Sequence, residues 1–317
     1  MENYVFGIDV GGTTVKCGLF TTEGTVLDKW EIRTNKENGG ASILGDIAAS
    51  IDAKLAEKKI DKSAVKGVGI GVPGPVKGDG TVLTCVNLGW GKFNVNEEMS
   101  RLVGLPVAAG NDANVAALGE MWKGGGQGYE DVVMITLGTG VGGGIILDGK
   151  IWAGSNGAGG ELGHMIVNPE ETDVCGCGGH GHLEQYASAT GIVRMAKKEL
   201  AANDAATALR KYENLSAKNV FDEAKAGDAV AAALVDKLCA ILAGALTHVA
   251  ATVDPQVFVI GGGVSKAGEI LTEGLKKHYN RNLLSALYNK EFRLATLGND
   301  AGIYGSAKMI LDRVTAK

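Results

Sequence analysis

The chain has 317 residues, 45% of them hydrophobic, with 31 basic against 36 acidic side chains and a formal charge of −5; that length exceeds one ordinary hydrophobic core, so two domains with a cleft between them are expected. The acidic balance excludes the concentrated positive surface that nucleic acid requires, and Cys17, Cys85 and Cys239 stand too far apart to suggest a disulfide framework, which points to reduced thiols and the cytoplasm. The opening residues carry no charged leader with a long apolar stretch behind it, and no run is expected to reach the ~20 apolar residues that span a bilayer, so a soluble protein without a membrane partner is expected.

Residues 4–10 are a short apolar run ending in Asp9 and followed by Gly11 and Gly12; 15–20 resume the pattern before a turn at 21–24, and 26–34 add a third antiparallel strand. Over 42–59, Ile43, Ile47, Ile51 and Leu55 recur every four residues, which marks one face of an amphipathic helix. A buried strand over 65–72 ends at Pro73-Gly74-Pro75, another covers 106–109, and a helix over 112–122 starts just after Asn111. Strands at 132–137 and 143–147 flank Gly138-Thr139-Gly140 and repeat the strand, glycine turn, strand opening, so the halves read as distant internal duplicates. Helices follow at 183–200 and 229–253, the second alanine-rich with Ala243, Gly244 and Ala250 permitting close packing. The chain closes with a strand at 256–260, Gly261-Gly262-Gly263, a helix at 264–279, a strand at 292–297 and a helix at 301–313. This alternation gives an α/β protein with two sheets flanked by helices.

Four segments carry chemistry. Asp9-Val-Gly-Gly-Thr-Thr-Val-Lys16 sits at a strand-to-strand turn, where Gly11 and Gly12 let backbone approach a phosphate, the Thr13 and Thr14 hydroxyls donate to its oxygens, and Asp9 holds magnesium or its waters. The order Gly-Lys-Ser/Thr is missing and no helix follows directly, so this is not a P-loop. Thr139 and Gly140 in the second glycine turn are placed to meet the same phosphates from the other side. Asp112 opens a helix, where an aspartate often serves only as an N-cap. Its company of Asn87, Asn111, Glu161, His164 and Glu184 instead suits a hydroxyl-rich sugar, one of whose hydroxyls gives its proton to the carboxylate while its oxygen attacks phosphorus.

The fourth segment, 159–184, contains His164, Cys175, Cys177 and His182, two thiolates and two imidazoles that match a closed, structural, tetrahedral zinc site. Gly176, Gly178, Gly179 and Gly181 permit the positive-φ turns that wrap backbone round an ion. His180 competes with His182 as fourth ligand, and spacing leaves that choice open.

In order along the chain, Asp9-x-Gly-Gly-Thr-x-x-Lys16, Asn111-Asp-Ala-Asn114, Leu137-Gly-Thr-Gly-x-Gly-Gly-Gly144, Gly160-Glu-x-Gly-His164 and Cys175-Gly-Cys-Gly-x-x-Gly-x-x-Glu184 resemble the bacterial ROK family of sugar kinases and sugar-responsive repressors. The resemblance covers essentially the whole chain. It implies the two-domain actin-like ATPase and hexokinase (ribonuclease H-like) architecture, with 1–110 plus 300–317 as the smaller domain and 111–299 as the larger one carrying the zinc loop and a homodimer surface. It further implies Asp112 as catalytic base, and Asn87, Asn111, Glu161, His164 and Glu184, with the Gly74 loop, around the sugar. Asp9, Gly11, Gly12, Thr13, Thr14, Lys16, Thr139 and Gly140 would surround the ATP phosphates and magnesium, and Gly262 with Gly263 would approach the adenosine. His164 would serve zinc and sugar together. Many family members have a third cysteine where this chain has His182. The stretch Val86-Asn-Leu-Gly-Trp90 resembles the glucose-specific members, so the expected reaction is ATP-dependent phosphorylation of glucose at C6. N-acetylmannosamine, N-acetylglucosamine, fructose or allose are the alternative substrates. Repressors of the family carry a helix-turn-helix ahead of the kinase-like region, and Asp9 is expected to stand too near the start for one.

Overall fold

The computed structural model describes residues 3–281 and 283–315; the expected domain limits at 1 and 317 lie outside them. Residues 4–123 contain β1 (Tyr4–Val10), β2 (Thr14–Thr21), β3 (Val26–Arg33), the single turn α1 (Glu37–Gly40), α2 (Ile43–Lys58), β4 (Val65–Val72), β5 (Thr81–Val82), β6 (Phe93–Asn94), α3 (Val95–Val103), β7 (Val107–Asn111) and α4 (Asp112–Lys123). Residues 132–315 contain β8 (Val132–Leu137), β9 (Val141–Leu147), β10 (Lys150–Ile151), α5 (Glu184–Ala187), α6 (Ala189–Ala202), α7 (Ala217–Lys225), α8 (Ala229–Val253), β11 (Val257–Gly261), α9 (Glu269–Tyr279), β12 (Glu291–Leu294) and α10 (Ala301–Thr315).

Both main sheets have five strands and the same plan, β3-β2-β1-β4-β7 and β10-β9-β8-β11-β12, so the duplication suspected from the glycine turns extends to topology. β1 pairs antiparallel with β2 and parallel with β4, and β11 runs parallel to both β8 and β12. The chain divides into two compact units, Met1–Glu130 with Gly144–Gly160 and Leu297–Lys317, and Asp131–Gly143 with Glu161–Thr296.

In the first unit α2 lays Ile43, Ile47, Ile51 and Leu55 on Phe6, Ile8 and Leu19 of the sheet, all of them buried. Burying each such side chain contributes about 1.5–3 kcal/mol. On the opposite face Ile303, Ala307 and Ile310 of α10 pack on Val5 and Phe20. Helix α10 lies directly on the strands because Gly7 and Gly69 leave it room: a Cβ at either position would come within 1.9 Å of the Ile303 oxygen or 1.7 Å of the Ser306 oxygen. The same device joins α4 to α10, where a Cβ on Gly305 would meet the Val115 oxygen at 1.7 Å. That close crossing carries α4 into the first unit, so the boundary drawn at 110/111 from sequence lies after Glu130, with 144–160 also on this side.

Three expected elements are shorter or broken. The helix at 183–200 is interrupted at Ser188, whose backbone is extended and whose hydroxyl accepts from Gly191 N to cap α6. The helix at 264–279 is a 3-10 turn and then α9, separated by Gly268 at φ +76°. β12 ends at Leu294, before the expected 297. The sequence also concealed a long apolar run. Among the described residues α8 is long and apolar enough to cross a membrane, but half of its apolar window is buried, with α7 and α9 packed along it. All five cysteines are free thiols, and Cys17, Cys85 and Cys239 are buried.

Candidate active site

In the first unit the β1–β2 hairpin carries the first glycine turn. Asp9 and Lys16 are direct cross-strand partners, and Lys16 Nζ donates to the Asn299 carbonyl at 3.0 Å. The turn closes through Gly11 N to Thr14 O, and Thr34 clasps it from β3's end, donating through its N–H to Thr13 O and through its hydroxyl to Gly11 O. Thr13 is exposed, and open space faces the Cα of Gly12. Burial raises the proton affinity of the Asp9 carboxyl, opposed by the Lys16 charge. Gly302 lets the start of α10 approach that carboxyl, since a Cβ there would lie 2.6 Å from it. A half-buried carboxylate whose charge is costly to desolvate suits a hard divalent cation such as magnesium.

Asp112 is the first residue of α4, and the cap is its neighbour. Asn111 is extended, and its Oδ1 accepts from Ala113 N at 3.0 Å and Asn114 N at 3.1 Å. Its Nδ2 donates to Gly74 O at 3.1 Å and to Asp112 Oδ1 at 3.0 Å. Gly74, at φ +92°, is where only glycine fits, because a Cβ would meet Thr84 O at 2.6 Å. With the capping task taken by Asn111, the Asp112 carboxylate is oriented by two N–H donors at Oδ1, from Asn111 and, at 2.8 Å, from Ala113 N. The Asn111 amide is thereby committed inside the protein at 9% exposure. Asn87 is exposed on a 3-10 turn, Val86–Leu88, that is anchored by the buried Leu88.

In the second unit the Gly138–Gly140 turn is held by Ala189 N to Gly138 O and by the Thr190 hydroxyl to Thr139 O at 2.6 Å. Glu184 meets this turn. Its Oε2 accepts from Val141 N at 3.4 Å and lies 2.5 Å from where a Gly140 Cβ would stand. Its Oε1 accepts from Cys175 Sγ at 2.9 Å. Thr139, Gly140, Cys175, Glu184 and Thr190, with Arg194, line a cavity of about 450 Å3. Gly262, at φ +81°, lies against β8, since a Cβ would sit 2.6 Å from the Leu137 backbone. Gly263 opens on a second cavity of about 390 Å3, lined also by Ser216, Lys218, Phe221 and Val264.

The candidate zinc ligands converge. One ligand atom from each of His164, Cys175, Cys177 and His182 lies within 4.8 Å of all the others, against edges of about 3.3–3.8 Å for tetrahedral zinc. Cys177 Sγ and His182 Nδ1 already stand at 3.2 Å. It is His182 and not His180 that joins the set; His180 is exposed and paired with Val174 across the hairpin. Gly181, at φ +68°, makes the turn possible, because a Cβ would meet Asn168 O at 1.9 Å. The donor set fits a zinc ion. Glu161 Oε2 is 3.8 Å from His164 Nε2, which brings two expected sugar ligands together. An ion cluster ties this loop to α6: Glu171 accepts from Arg194 at 2.8 Å and from Tyr186 Oη at 2.5 Å, and Arg194 also bonds Asp173 at 2.6 Å.

Sequence reasoning gave no role to Thr34, Asn114, Ser188 or Thr190. Each is a short polar side chain bonded to a glycine turn or to the helix start beside it; Thr34, Asn114 and Thr190 reach partners far along the chain, Ser188 caps its own helix, and only Asn114, inside a quoted motif, offered a signal.

The fold and this distribution of residues define a two-unit protein of the actin-like ATPase and hexokinase class. A model of the ROK family matches residues 5–313, and the chain belongs to that family. It is 44% identical over 314 residues to a glucokinase of Halalkalibacterium halodurans, covering 98% of this chain and 95% of that one. Among solved structures it is similar to a ROK family glucokinase from Streptomyces griseus in complex with glucose and AMPPNP, at 36% identity and a TM-score of 0.72, covering 96% of this chain and 98% of the other. A ROK hexokinase from Thermus thermophilus matches at 32% identity and a TM-score of 0.79, with 96% of each chain covered.

Proposed function

We propose that this chain transfers the γ-phosphoryl group of ATP to the C6 hydroxyl of glucose. The observation that carries the reading is the presentation of Asp112: a carboxylate at a helix start, relieved of capping by Asn111 and oriented by two N–H donors. The full-length similarity to glucokinases supports the choice of sugar.

Asp112 accepts the C6 hydroxyl proton as that oxygen attacks phosphorus, a contribution of typically ~100- to 10,000-fold. Asn87, Glu161, His164 and Glu184 supply amide, imidazole and carboxylate partners for the other hydroxyls; Asn111 and the Gly74 carbonyl hold the base in place. Thr13, Thr14, Lys16 and the Gly11-Gly12 backbone, together with Thr139 and Gly140, are assigned to the phosphates, and Asp9 to magnesium. Magnesium, when bound, neutralises charge building on the phosphoryl oxygens. Gly262 and Gly263 are assigned to the adenosine, which the cavity beside Gly263 has room to receive.

His164, Cys175, Cys177 and His182 hold structural zinc, which fixes the loop bearing His164 and takes no part in the chemistry. A homodimer is part of the same proposal, and light scattering at twice the chain mass is its check. The substrate is tested with a coupled assay over glucose, N-acetylmannosamine, N-acetylglucosamine, fructose and allose, ranked by kcat/KM. Glucose is expected first by at least tenfold; another sugar in that place would reassign the substrate and leave the phosphoryl transfer standing.

A further inference from the structure

The first turn of α4 holds a second asparagine to which the catalytic assignments give nothing to do. Asn114 is 2% exposed. Its Nδ2 donates to Gly159 O at 3.0 Å, 45 residues along the chain, and also faces Asn111 Oδ1 at 3.4 Å. Its Oδ1 accepts from Ile145 N in β9 at 3.4 Å. One carboxamide therefore joins the helix start, β9 and the turn that precedes Glu161 by two residues.

Both partner segments are fixed in place. A Cβ on Gly159 would strike Trp152 O at 2.4 Å, and Gly159 N donates to Ala153 O at 2.8 Å. A Cβ on Gly144, next to Ile145, would meet the Ala117 Cβ at 2.6 Å, so β9 lies directly on α4. Asn111 Oδ1 then faces three N–H groups, from Ala113 N, Asn114 N and Asn114 Nδ2. That arrangement fixes which way the Asn111 amide points. Its Nδ2, not its oxygen, is turned to Asp112 Oδ1, so a donor faces the carboxylate where the amide oxygen would repel it.

We propose that Asn114 is a positioning residue for phosphoryl transfer: by tying the α4 start to Gly159 and Ile145 it holds Asn111, and through it Asp112, in the orientation from which the carboxylate takes the sugar proton. The proposal rests on the reading of Asp112 as the base. Misplacement of a reacting group by about 1 Å can lower the rate on the order of 100-fold, and this buried link braces the residue that bonds the base directly.

The test replaces the amide by a group of like size that cannot hydrogen-bond, Asn114→Leu, with Asn114→Ser as the smaller variant should leucine prevent folding. Calorimetric titration with glucose counts sugar-binding sites, and kcat is expressed per site so that unfolded protein is not counted. The expected result is glucose affinity within ~5-fold of the parent and kcat per site lower by ~30- to 100-fold. Because Asn114 acts through Asp112, adding Asn114→Leu to Asp112→Asn is expected to lower kcat by less than ~3-fold more. A kcat per site within threefold of the parent, or full additivity in the double variant, overturns the proposal. A parent that turns over no hexose in the same assay defeats the assignment of function, and the proposal falls with it.

Discussion

Replacing Asp112 by asparagine separates its chemical work from its structural place. In the parent, Oδ1 receives the Asn111 amide at 3.0 Å and Ala113 N at 2.8 Å. Asparagine keeps an oxygen in that position, so both bonds survive and the turn keeps its shape. The structural loss is the attraction of a negative charge to the helix start, about 0.3–1 kcal/mol. The chemical loss is the base itself: ~100- to 10,000-fold in kcat, or about 2.7–5.4 kcal/mol at 1.36 kcal/mol per decade. The two magnitudes differ enough to be told apart. Steady-state turnover of glucose with ATP, beside calorimetric titration of the sugar, should show kcat reduced at least ~100-fold with sugar affinity within ~5-fold. A kcat within tenfold of the parent would remove Asp112 from the role of base, and loss of sugar binding in equal measure would make it a binding residue instead.

Further outcomes follow from other parts of the molecule. Metal analysis of protein prepared without chelator should find one zinc per chain, and Cys177→Ser should abolish it and lower the melting temperature; full thermal stability without metal would leave the four ligands without a structural task. Gly305→Ala drives a methyl into the Val115 carbonyl and should cost about 1–3 kcal/mol, read as a fall of several degrees in melting temperature. Arg194 and Tyr186 hold the Glu171 carboxyl well below its ordinary value of 4.5. With a depressed folded pKa, the stabilisation is complete above 4.5 and is lost as pH falls from there towards the folded value. Glu171→Gln should therefore melt below the parent at neutral pH, with the gap narrowing under pH 4.5; a constant gap would contradict the ion pairs.

What could be read from sequence depended on the distance over which each feature is determined. β1 and β4 were legible because most of each is buried, from Val5 to Ile8 and from Gly67 to Val72, and reads as a short apolar and glycine run; α2 was legible because Ile43, Ile47, Ile51 and Leu55 all point to one sheet. The breaks at Ser188 and Gly268 were not, because a single cap overrides an apolar period that runs on past it. The place of α4 in the first unit goes with the close approach of Gly305 to the Val115 carbonyl in the folded chain, and no local pattern in either helix announces that. At the site, Asn111 and Asp112 are both good caps by type, and only the extended backbone of Asn111 decides which of them caps. The ambiguity between His180 and His182 was of the same kind, since the turn geometry at Gly181 settles which imidazole faces the thiols.

The most direct measurement is phosphorus NMR of purified protein incubated with glucose, ATP and magnesium. The account predicts a growing phosphate monoester on the C6 oxygen in step with ADP, and no comparable inorganic phosphate. ATP left intact, or consumed to inorganic phosphate without a sugar ester, would contradict it.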